Sequence, residues 1–105
     1  MADLLPLPSR TDEPDPLWRH LVGERLRRMR HGRDETLAEV ARRAGVSVQY
    51  LSEVERGLKE PSSEIVAAVL GALGGTLLDL TSGIADDLRT AAAPAYGGVA
   101  LALAA

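Results

Sequence analysis

The chain has 105 residues, no cysteine and a formal net charge of −3, which excludes a disulfide framework and a thiolate zinc site. Its 46% hydrophobic content includes no Phe, one Trp and two Tyr. That is material for one small helical core, with little for an aromatic platform on which bases could stack. The charge is uneven: residues 19–59 hold ten Arg and Lys against six Asp and Glu, while both flanks are acidic. A basic centre suits a polyanionic partner, although a solvated helix face explains the same charges.

In chain order, residues 1–15 are expected to be a flexible arm, with three prolines and no sustained periodicity. Their start, MADLLPLPSR, lacks the basic opening of a signal peptide, and no apolar run reaches the roughly 18 residues of a membrane span. The expected setting is therefore the cytoplasm, with no membrane partner. Asp15-Pro16 reads as an N-cap followed by proline at the first helical position. Trp18, Leu21, Val22, Arg25, Leu26 and Met29 then recur at helical steps, giving a first helix that should end near His31-Gly32, with Gly32 as a left-handed cap.

Thr36 and Glu39 form a capping box for a short second helix, whose inward side is Leu37, Val40, Ala41 and Ala44. Gly45 closes it. Ser47 caps a third helix in which Tyr50, Leu51 and Val54 are the inward candidates, and Gly57 ends it. That leaves Val48, Gln49, Ser52 and Glu53 pointing away from the core. Ser62 opens a fourth helix with Ile65, Val66, Val69, Leu70 and Leu73 inward, stopped by Gly74-Gly75. Thr76 starts a fifth segment with Leu77, Leu80, Ile84 and Leu88 along one side, its second half (81–93) a possible extension weakened by Gly83. Residues 94–105 are Ala- and Gly-rich and expected to be a flexible tail. No strand alternation occurs, so the fold class is all-α.

Two short helices joined at a glycine form a helix-turn-helix, whose second helix enters a DNA major groove. The run TLAEVARRAGVSVQYLSEVERG, followed by Pro61 and the ALG at 72–74, resembles the Cro/C1-type (xenobiotic-response-element) family of phage and bacterial regulators over residues 17–80 or so. More narrowly, YLSEVERGLKEPSSE is similar to the actinobacterial Clp gene regulators. The resemblance implies a five-helix domain over 16–80 that binds double-stranded DNA. It assigns base contacts to Val48, Gln49 and Glu53, with Gln49 able to bond adenine through both groups of its amide. Backbone contacts fall to Ser47, Tyr50, Ser52, Arg42, Arg43, Arg56 and Lys59. Tyr50 suits half-buried packing at least as well. Arg30 and Glu55 stand where the family places a buried ion pair.

The same resemblance implies a homodimer on a near-palindromic site, with Leu77, Leu80, Ile84 and Leu88 as the candidate interface. It implies an activator of Clp protease genes, with RNA polymerase as a partner. The ending Leu103, Ala104, Ala105 is similar to a tag by which bacteria mark proteins for Clp-type proteases, so a Clp protease would be both product and degrader. Two departures stand out. Asp34-Glu35 replaces a common Gly-Leu, suggesting a looser junction, and Leu37 occupies a position that is often a phosphate-binding glutamine. Repression of another operon, or an antitoxin or adaptor module built on the same fold, are the alternatives. Catalysis has no residue set here: Ser47 and Ser62 are caps, and His20 and His31 lack ligand spacing, so neither a metal nor a cofactor is expected and the chain is not an enzyme.

Overall fold

The computed structural model describes residues 17–92. The arm at 1–15, the Asp15-Pro16 cap, the tail at 94–105 and the degradation signal at Leu103, Ala104 and Ala105 lie outside the described residues. Within them stand five helices: α1 (Trp18–Gly32), α2 (Leu37–Ala44), α3 (Val48–Glu55), α4 (Ser63–Ala72) and α5 (Leu77–Ala92). No strand occurs among the described residues.

Local chemistry explains most of the boundaries. The Thr36 hydroxyl accepts from the Glu39 amide at 3.1 Å, and the Glu39 carboxylate accepts from the Thr36 amide at 2.8 Å. Both orphan donors of the first α2 turn are thereby satisfied. Ser47 and Ser62 accept from the Tyr50 and Ile65 amides at the starts of α3 and α4. A second reciprocal box, Thr76 with Asp79, opens α5. Gly45, at φ 76°, closes α2 in the left-handed conformation that costs glycine least.

Two ends of α1 differ from the sequence expectation. The helix is capped by Leu17, in extended backbone and with no side-chain cap bond, and not by Asp15. Helix ends shift by a residue or two at little cost, because the register is set by the buried face and not by the first turn. At the other end Gly32 stays helical and Asp34 takes the left-handed conformation, φ 55°. The Asp34 amide donates to the His31 carbonyl and the Glu35 amide to that of Arg30, so the paired C-terminal bonds of a Schellman motif form one turn later. Aspartate tolerates this backbone better than most residues.

The core gathers Val22 and Leu26 of α1, Val40 and Ala41 of α2, Leu51 and Val54 of α3, Val69 and Leu70 of α4 with Leu73 beyond it, and Leu80 and Ile84 of α5. Helix α2 packs on α3 and α4, while α1 packs on α3 and α5. The α1–α3 crossing is close because of Gly23: a Cβ there would meet the Val54 carbonyl oxygen and stand 2.8 Å from that of Glu55. Trp18, expected on the inward face, is 50% exposed. It sits at the rim of a shallow apolar groove with Pro61, Val66, Leu70, Leu77 and Leu80.

Helix α5 turns away from α4 by 97° and runs unbroken through Gly83. Arg25 lies across that glycine, donating to its carbonyl at 3.1 Å and to Asp87. Arg28 reaches the same Asp87 carboxylate at 3.0 Å. The arginine on the inner face of α1 therefore has a built partner, and α5 is held to α1 beyond the apolar core.

Candidate nucleic-acid interface

Helix α3 is eight residues long, about 12 Å at 1.5 Å per residue, and Leu51 and Val54 bury its inner side almost completely. A helix anchored through two adjacent turns leaves its other faces free. Val48 is 45% exposed and Gln49 is exposed, one turn before the half-buried Ser52 and Glu53. The Ser47 hydroxyl is engaged as the α3 cap, so its oxygen faces the helix start, where backbone amides and the helix dipole favour an anion. Tyr50 is half-buried and packs against the core.

Two of the flanking cations have protein partners. Arg43 donates to the Ala72 carbonyl through Nε at 3.1 Å and Nη2 at 2.8 Å, and to the Glu35 carboxylate at 2.6 Å. Ala72 is the last residue of α4, whose carbonyl lacks a helical donor. Arg43 is thus a cap that ties α2 to α4, and its assignment as a phosphate contact is corrected. Lys59 stands 3.9 Å from Glu53, so the only carboxylate among the proposed base readers has a cation beside it. Arg42 and Arg56 are exposed.

The junction before α2 is built from charge where an apolar residue was missing. Glu35 receives Arg33 at 3.0 Å and Arg43 at 2.6 Å, and its backbone carbonyl accepts from Arg30 at 2.9 Å. The bond from Arg33, then that from Arg43, holds the Glu35 carboxyl below its ordinary pKa, against a smaller opposing effect of burial. The looser junction expected at Asp34-Glu35 is instead one tied by three arginines.

Arg30 and Glu55 meet in parallel: Nε to Oε2 at 2.8 Å and Nη2 to Oε1 at 2.9 Å, with both residues under 10% exposed. The Glu55 carboxylate raises the Arg30 pKa, outweighing the effect of burial. This fork fixes the last turn of α3 against the last turn of α1. It is a positioning device, since a buried pair gives orientation more than net stability.

At the far end of the chain Leu80 and Ile84 are 1% and 4% exposed, buried in the monomer's own core. They are removed from the candidate dimer interface, because their four-residue spacing puts both on the inner face of α5. Leu77, Leu78 and Leu88 are exposed at 64%, 72% and 40%. No group of three or more potential metal ligands occurs among the described residues.

A helix held by its inner side, with a short polar outer face and a capped N-terminus, is the recognition element of a helix-turn-helix protein. A family model described as a helix-turn-helix domain matches residues 21–81, more than half the chain, and the chain belongs to that family, in its Cro/C1-type branch. It is similar to the transcriptional regulator ClgR of Mycobacterium tuberculosis, at 53% identity over 57 residues, 54% of this chain and 51% of that protein. The chain thus spans about half the length of that relative. Among solved structures, the clp gene regulator ClgR of Corynebacterium glutamicum aligns with a TM-score of 0.73 and 40% identity, over 87% of this chain and 97% of that one. A mutant restriction-modification controller protein shares the fold, with a TM-score of 0.66 at 12% identity, over 70% and 99% of the two chains.

Proposed function

We propose that the chain is a sequence-specific DNA-binding transcriptional regulator that activates Clp protease genes. The observation that carries this reading is the outer face of α3, Val48 and Gln49, presented by a helix whose position is locked by Leu51, Val54 and the Arg30–Glu55 fork. An eight-residue helix matches the roughly 12 Å width of the major groove, and relatives named as clp gene regulators point to the target genes. Gln49 and Val48 read bases, Glu53 accepts from cytosine beside Lys59, and Ser47, Ser52, Tyr50, Arg42 and Arg56 contact the backbone.

The protein binds a near-palindromic site as a dimer through α5. Leu77 and Leu88 are eleven residues apart, three helical turns, and so stand on one line about 16 Å long. RNA polymerase is then the second partner of an activator. Turnover through Leu103, Ala104 and Ala105 by a Clp protease completes the proposal. Equal decay of the wild type and the Ala104→Asp, Ala105→Asp double variant in a pulse-chase would end that part of it.

Selection of bound sequences from a random double-stranded DNA pool tests the main reading. A two-fold symmetric consensus is expected, with one position per half-site relaxed by Gln49→Ala at a cost of about 1–3 kcal/mol. Enrichment of no sequence would refute it.

A further inference from the structure

Beside α3 lies a polar groove of about 560 Å³, walled by α1 on one side and by the end of α3 on the other. Its floor is the Arg30–Glu55 fork, a pair that neutralises itself. Of the remaining charges, Glu24 is engaged by Arg28 at 3.1 Å. Arg27 on the α1 wall and Arg56 on the α3 wall are both exposed, and neither has a hydrogen-bonded or ionic partner among the described residues. The groove therefore presents two uncompensated guanidinium groups from opposite walls.

Its position is set by helical geometry. Gln49, Ser52 and Arg56 follow at steps of three and four residues, so they succeed one another along one side of α3. Ser52 lines the groove and Arg56 closes it. The groove is thus the continuation of the outer α3 face, about 10 Å beyond Gln49 at 1.5 Å per residue.

We propose that this groove is a DNA-backbone subsite in which Arg27 of α1 and Arg56 clamp a phosphate flanking the bases that α3 reads. The inference rests on the DNA-binding reading and adds α1 to the DNA-contacting surface. A guanidinium presents planar, directional donors that suit phosphate oxygens, and Ser52 adds a hydroxyl donor. The Glu24 carboxylate on the same wall opposes an anion, so it sets a ceiling on affinity that its removal lifts. The contact carries no base information: it fixes the register of α3 on the duplex.

The test is fluorescence anisotropy with the full chain and a duplex carrying the selected site, and with a scrambled duplex, from 50 to 300 mM salt. Loss of one phosphate contact should lower the salt slope by about 0.9, or weaken binding about eightfold at 0.1 M salt. Arg27→Ala is expected to do this equally on both duplexes, leave the selected consensus unchanged and leave thermal unfolding unchanged. Glu24→Gln is expected to tighten binding. Arg89→Ala, on the distant end of α5, is the control and should change neither. If the wild type binds the selected site but Arg27→Ala keeps its slope and affinity, the subsite is refuted while the DNA-binding reading stands. If the wild type binds neither duplex, both fall together.

Discussion

Removing the Glu55 carboxylate should be the most damaging single change to this small domain. Glu55 and Arg30 are 7% and 8% exposed, and the two bonds between them are 2.8 and 2.9 Å long. Glu55→Ala leaves a guanidinium inside the protein with only the Glu35 carbonyl as a partner. Breaking a buried pair from one side costs about 3–5 kcal/mol. A folded unit the size of residues 17–92 holds about 4–11 kcal/mol in all. At the lower cost of 3 kcal/mol, the melting temperature should fall by roughly 12–24 °C. The double variant Arg30→Met, Glu55→Leu removes both charges and should recover most of the loss. Circular dichroism melts and urea titrations of the two singles and the double complete the cycle. A cost for Glu55→Ala below about 1 kcal/mol, or a double variant as unstable as the singles together, would refute the reasoning. The stable double variant should still bind DNA less well, because α3 then loses the fork that sets its angle to α1.

Three further outcomes follow from other contacts. Gly23→Ala places a methyl group against the Val54 and Glu55 carbonyls and should destabilise by at least about 1–3 kcal/mol through the forced separation of α1 and α3, measured by urea unfolding. Arg43→Ala removes the α4 cap and should cost a few tenths to about 1 kcal/mol, while the salt slope of DNA binding keeps its wild-type value. Glu35 is a carboxyl with a depressed folded pKa. The stability it contributes is therefore present above its unfolded value and lost as pH falls through its lower folded value. Glu35→Gln should destabilise at neutral pH and flatten the acid limb of a melting curve series below about pH 4.5.

Most of the framework was legible because it is local. Thr36, Ser47, Ser62, Gly45 and Gly57 act on residues three or four positions away, and the inner faces of α2, α3 and α4 repeat at helical steps, so reading along the chain finds both. The misread positions share one cause: their partners lie far off in sequence. Arg43 is indistinguishable from Arg42 until α4 supplies the Ala72 carbonyl, and Arg25 is an anomaly on an apolar face until α5 brings Asp87 across it. Gly23 has no local signal either, since a glycine inside a helix is explained only by the carbonyls of α3 behind it. Asp34 shows a different limit: the left-handed turn was expected at the nearest glycine, yet the chain continued its helix for one residue more and used an aspartate. The division of α5 between core and surface was legible only in part, because Leu80 and Ile84 share a stripe with their exposed neighbours until the fold shows which edge is covered.

The double hold on Asp87 gives α5 two different attachments. Up to Ile84 the helix is fixed by burial; past it, Arg25 and Arg28 on a single carboxylate are what join it to α1. Local opening should therefore divide at this point. Amide protons in the last turns of α5 should exchange with deuterium sooner than those around Leu80, and the gap should widen as salt screens the ions while leaving apolar contacts in place. Whatever docks on the outer stripe of α5 meets a rod rooted at one end and held electrostatically at the other, so the ionic strength that weakens a DNA contact also loosens the helix across which two copies would meet.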